Sequence, residues 1–172
     1  MNLIVRNILR LILILAVQFL LLKRIDLSFQ NFNYIHIFIY PLILLLIPFN
    51  ISQLLYLLIA FGVGLIVDLF YHSPGVHSAA LVLMAFLRPF ILKIIEPREG
   101  YNKDSSPTLH KMGVVWLFIY TATLMFAHHL TYFCIEAFSI VYIFEILMRT
   151  IFSFIVSLIV IMLSHFIFRP KY

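Results

Sequence analysis

The chain has 172 residues, 64% of them hydrophobic and 11% charged, with a net charge of +5. Soluble domains hold about 45–50% apolar residues, so this composition excludes one and indicates a membrane protein built as a single helical domain. The basic residues flank apolar runs, where an anionic leaflet accounts for them, so no nucleic-acid partner is expected.

The apolar runs are continuous and rich in Leu, Ile and Phe, without the alternation of a β-barrel. Cys134 is the only cysteine, which rules out an intrachain disulfide and a cysteine-based metal site. The pattern predicts an all-α bundle of six transmembrane helices at about residues 4–22, 34–49, 54–70, 78–95, 113–134 and 140–168, with a polar loop at 96–112. Arg6 and Arg10 precede the first apolar run as in a signal peptide. No small-x-small cleavage site follows, only Lys23-Arg24-Ile25-Asp26, so the first span is expected to be retained. The second span contains Pro41 and ends at Pro48, and is expected to be kinked or half-exposed.

Asn50 or Ser52 supplies cap chemistry for the third span. Ser73-Pro74-Gly75 is a turn signal, because Pro presets one dihedral and Gly permits a positive one; spans three and four should form a tight antiparallel hairpin. Pro89 lacks an amide hydrogen and frees a carbonyl one turn earlier, so a bend or interruption is expected beside Arg88. The loop at 96–112 is mixed in charge and holds Gly100 and Pro107. With a cytoplasmic N-terminus, Arg6, Arg10, Arg88, Lys93, Arg98, Lys103, Lys111, Arg169 and Lys171 fall inside and Lys23 and Arg24 outside, which sets both termini in the cytoplasm.

That threading gathers the polar groups of the spans in the outer half of the bilayer: Asp68, His72, His77, His128, His129, Glu136, Glu145 and Arg149. An ionised Asp in mid-membrane costs on the order of 2.5–3.5 kcal/mol, so Asp68 needs a partner or water. Glu145 and Arg149 stand at i, i+4 with the acid first, the better orientation. The five-donor guanidinium of Arg149 offers Asp68 a second acid–arginine contact. Such a cluster serves as a structural tie between spans three and six, as an outward-facing pocket, or as a proton relay through Asp68 and the histidines; the tie is the simplest use. His72 and His77 flank the turn, where a histidine is usually solvated or capping. His128 and His129 are adjacent, which is not metal-ligand spacing. Gly62 and Gly64, with Ala60, permit close helix approach. Arg88 belongs at the inner interface, anchoring to phosphate headgroups or meeting a partner. Eighteen Phe and nine Tyr match aromatic belts and need no cofactor. No nucleophile–base pair, phosphate loop or metal motif argues for an enzyme.

The run Gly62-x-Gly64-x-x-x-Asp68, then Pro74-Gly75-x-His77, then Ala85-Phe86-Leu87-Arg88-Pro89-Phe90 resembles the rod shape-determining MreD family, particularly its Bacteroidetes-type members. Length, six spans and the basic loop after the fourth are similar as well. The resemblance implies a non-enzymatic inner-membrane subunit of the bacterial cell-elongation machinery. Such a subunit binds the scaffold MreC and helps link MreB filaments to the peptidoglycan polymerase and transpeptidase. It also implies a fold similar to the substrate-binding S-components of energy-coupling-factor vitamin transporters, six-helix bundles with an outward pocket. That supplies the rival expectation, a small-molecule-binding transporter subunit. Asp68, His72, His77, Glu145 and Arg149 would form the partner surface or pocket, and Gly62, Gly64, Pro74, Gly75, Arg88 and Pro89 the structural motif.

Overall fold

The computed structural model describes residues 3–22, 27–29, 32–102 and 106–168. In chain order these form α1 (Leu3–Leu20), β1 (Leu27–Phe29), β2 (Phe32–Ile35), α2 (Leu42–Leu45), α3 (Gln53–Tyr71), α4 (Val76–Ile94), α5 (Leu109–Met112), α6 (Val114–Ala137), a 3-10 turn (Ile140–Tyr142) and α7 (Ile143–Phe168). Helices α3, α4, α6 and α7 are each long and apolar enough to cross a membrane. They pack as successive neighbours, α3 on α4, α4 on α6, and α6 on α7. Their outer faces carry exposed Leu58, Phe61, Leu69, Phe86, Phe118, Phe152 and Ile159. So continuous an apolar exterior suits lipid and not water, and the chain is a membrane protein.

The long helices lie close to their predicted ranges, and local chemistry explains their ends. Ser52 caps α3, its hydroxyl accepting the Leu55 N–H at 3.4 Å. At the far end His72 adopts the left-handed conformation, φ 54°, and closes the helix. Gly75, φ 87°, then opens α4, so the Ser73-Pro74-Gly75 turn makes the expected tight hairpin. Inside the hairpin the two helices approach closely at Gly64. A Cβ there would stand 2.3 Å from Ser78 Cα. Gly62 meets nothing within 4 Å and takes no part in that contact, which corrects its expected packing role.

Helix α4 continues through Pro89 to Ile94 rather than being interrupted. Proline at 89 deprives the Ala85 carbonyl of its helical donor, and the Gln53 side-chain amide on α3 donates to that carbonyl at 3.1 Å instead. The orphan is satisfied from a neighbouring helix, as hydrocarbon requires.

The second expected span is not a helix. Residues 32–35 pair as β2 with β1, in the register Leu27 to Ile35 and Phe29 to Phe32, and β2 lies against α7. The chain then runs extended through residues 36–39 and makes only the four-residue α2 before the break at Pro48. The reason lies in the sequence: Ile35, Ile37 and Ile39 alternate with Tyr34, His36, Phe38 and Tyr40, a β-branched and aromatic pattern of period two. Pro41 then restricts Tyr40 before it. Among the described residues four helices are long and apolar enough to cross a membrane, and α1 runs Leu3–Leu20 where the first span was expected; only the second expected span, 34–49, is replaced by other structure. The side chains of Arg6 and Arg10, and the whole of Lys23, Arg24, Lys103, Arg169 and Lys171, lie outside the described residues.

Candidate functional site

An extended segment inside a membrane bundle exposes backbone groups that neither water nor a helix satisfies. Here side chains do so. The His36 N–H donates to Ser153 Oγ at 2.9 Å and the Phe38 N–H to Ser157 Oγ at 3.0 Å, both on α7. From α1, the Gln18 side chain accepts the Ile39 N–H at 2.8 Å and donates to the Ile37 carbonyl at 3.0 Å. Gln18, Ser153 and Ser157 are all buried. The segment is thus threaded through the bundle as an inserted strand, held by one amide and two hydroxyls.

Its side chains fill the interior. Phe38 is buried with its ring 4.8 Å from that of Tyr132 and 5.5 Å from those of His77 and His129. The Tyr40 hydroxyl sits between two histidines, 2.7 Å from His77 Nδ1 and 2.8 Å from His128 Nε2. His129 Nδ1 lies 2.8 Å from the Met125 carbonyl and its Nε2 3.2 Å from Ser157 Oγ. A carbonyl can only accept, so His129 carries a proton on Nδ1, and its Nε2 faces the Ser157 hydroxyl, which also reaches the His36 carbonyl at 3.4 Å.

The far end of the segment is tied down at its carbonyls. Tyr56 donates to the Leu44 carbonyl at 3.1 Å, and Arg88 donates to the carbonyls of Ile47 and Pro48. Arg88 Nε also donates to the Tyr120 hydroxyl at 2.9 Å, and its guanidinium lies over the Tyr56 ring at 4.5 Å. Only 3% exposed, Arg88 faces carbonyls and rings; this corrects the expected headgroup anchor. Outside the bundle the Tyr101 phenol, donating to the Leu92 carbonyl at 2.8 Å, has its pKa raised by burial.

Asp68 is 4% exposed, and its partners are not those expected. Its carboxylate accepts the N–H of His77 at 2.9 Å, the N–H of Ser78 at 3.1 Å, the Ser78 hydroxyl at 2.5 Å and the Ser73 hydroxyl at 3.3 Å. A carboxylate on α3 therefore caps the start of α4, where two orphan amides and the positive end of the helix dipole neutralise it. Arg149 is not its partner. The guanidinium instead meets Glu145 at 2.6 Å, the expected i, i+4 pair, and Glu136 on α6 at 3.6 Å. These three side chains are 30–40% exposed, at the rim of the bundle.

Asp68, His77 and Arg149 still belong to one end of the bundle. Tyr132 donates to Glu136 at 3.2 Å, and its ring lies 4.7 Å from that of His77. His72 stands apart, its side chain exposed on the turn. Sequence reasoning missed Tyr40, Gln18, Ser153 and Ser157, the groups that hold the inserted strand. The period-two alternation ahead of Pro41 was the available signal. Comparison with protein-family models, with curated proteins and with solved structures finds no match to this chain.

Proposed function

We propose that this chain is a non-enzymatic, multi-pass subunit of the bacterial cell-elongation complex of the MreD kind. In this reading it resides in the inner membrane with both termini cytoplasmic, binds MreC, and helps couple MreB filaments to the peptidoglycan polymerase and transpeptidase. The supporting observation is that, among the described residues, Phe38 and Tyr40 of the chain itself are buried between the helices. A vitamin carrier needs an unfilled, polar-lined space among its helices, whereas Phe38 and Tyr40 pack there against His77, His128, His129 and Tyr132.

The quoted motif residues give secondary support, because most of them build one rigid hairpin. Gly64 seats α4, Asp68 caps it, Gly75 makes the turn, and Arg88 fixes the segment before α3. A hairpin fixed in this way supports the reading of a scaffold surface. The test is purification from native membranes in mild detergent with paired mass spectrometry of proteins and small molecules. Retention of MreC is expected; a stoichiometric retained vitamin without MreC overturns the reading in favour of the transporter subunit.

A further inference from the structure

The Tyr40 hydroxyl has one proton to donate and faces a ring nitrogen on either side, His77 Nδ1 at 2.7 Å and His128 Nε2 at 2.8 Å. Both contacts are hydrogen bonds only if the hydroxyl donates to one ring and accepts N–H from the other. In one arrangement both rings carry their proton on Nε2, and in the mirror arrangement both carry it on Nδ1. The tautomers of two histidines 51 positions apart in sequence are therefore tied through one oxygen. The outer nitrogens, His77 Nε2 and His128 Nδ1, are buried without a hydrogen-bond partner. In either arrangement one of them is a bare acceptor.

We propose that Tyr40, His77 and His128 form a binding site for a single hydron that latches the inserted strand of residues 36–39 into the bundle. A hydron arriving from water adds to the bare outer nitrogen. That ring then holds two N–H groups, still donates to Tyr40, and breaks no bond. A second hydron must take the nitrogen that Tyr40 donates to. The hydroxyl would then face two N–H donors and two cations, with no acceptor for its own proton, and Tyr40 is expelled. The latch is closed with zero or one hydron and open with two.

The titratable and charged groups around the pair come from four elements and the segment itself. From α3, the Asp68 carboxylate accepts the backbone N–H of His77 without touching its ring, and the Tyr71 ring lies 4.9 Å from the His77 ring. From α6, Tyr132 leads to Glu136, and the His129 ring lies 5.4 Å from that of His128. His129 Nε2 faces Ser157 Oγ, whose hydroxyl also reaches the His36 carbonyl at 3.4 Å. His36 lies on the strand itself, and α7 brings the Glu145–Arg149 pair at the rim. α1 contributes the uncharged Gln18.

The test uses the full chain in lipid nanodiscs, with nitrogen-15 histidine spectra and amide exchange followed against pH. Rings are assigned from His77→Gln and His128→Gln. The wild-type rings should titrate as a coupled pair, in two steps more than about one pH unit apart. The amides of His36, Phe38 and Ile39 should lose at least about tenfold protection at the second step and none at the first. In Tyr40→Phe electrostatic coupling remains, but the two rings should no longer share one tautomer and the second step should no longer release the segment's amides. Should that variant fail to fold, His128→Gln should leave His77 with a single step and remove the acid-triggered loss of protection. Independent titration in the wild type, matched tautomers or an acid-triggered loss of protection that survive Tyr40→Phe, or unfolding of the whole bundle before either ring takes a proton each overturns the proposal.

Discussion

Asp68 and Ser78 lie on different helices, yet the carboxylate of one receives both the backbone N–H and the hydroxyl of the other, at 3.1 and 2.5 Å. This is helix capping supplied in space rather than from the preceding residue. It removes the need for a cationic partner in the membrane, because the amides of α4 neutralise the charge where the helix begins.

Replacing Asp68 by Ala should therefore strand two amides and two hydroxyls, lowering stability by about 3 kcal/mol. Asp68→Asn keeps an acceptor oxygen and should lose about 1–2 kcal/mol. Equilibrium unfolding in mixed micelles measures both. Equal losses in the two variants would contradict the capping role.

The two glycines of α3 should respond in opposite ways. Gly64→Ala places a methyl against the Ser78 backbone, so the hairpin must separate, at a cost of about 1–3 kcal/mol. Gly62→Ala meets open space and should be neutral or stabilising by up to about 1 kcal/mol through helix propensity. The same unfolding assay distinguishes them, and a Gly62 variant worse than the Gly64 variant would refute the assignment.

Arg88 holds two carbonyls and a phenol with a planar fork, geometry an ammonium does not reproduce. Arg88→Lys should lower stability by about 2 kcal/mol and Arg88→Met by about 3–4 kcal/mol, since the carbonyls of Ile47 and Pro48 then lose their donor. Proteolysis at residues 46–51 should quicken in both. Wild-type resistance there in Arg88→Met would show that the carbonyls find other donors.

The Glu145–Arg149 pair is half-exposed at the rim and should matter less. Glu145→Gln is expected to cost under about 1 kcal/mol, with Glu136 still facing the guanidinium. A loss comparable to that of Asp68→Ala would mean that the rim is desolvated by something the isolated chain lacks.

What the sequence determined by itself was the set of elements whose causes are local. Long apolar runs made α3, α4, α6 and α7; a cap at Asn50 or Ser52 and the Ser73-Pro74-Gly75 turn bounded α3 and opened α4; and spacing alone paired Glu145 with Arg149. The tertiary structure decided everything that depends on which faces meet. A carboxylate in an apolar helix must be neutralised, but the sequence cannot distinguish an arginine on another helix from the amides at a helix start, because both satisfy the same electrostatics. Likewise, apolar residues 34–49 fit a span by composition. Residues 36–39 leave the helix because Gln18, Ser153 and Ser157, distant in sequence, supply hydrogen bonds that a helix would have made within itself.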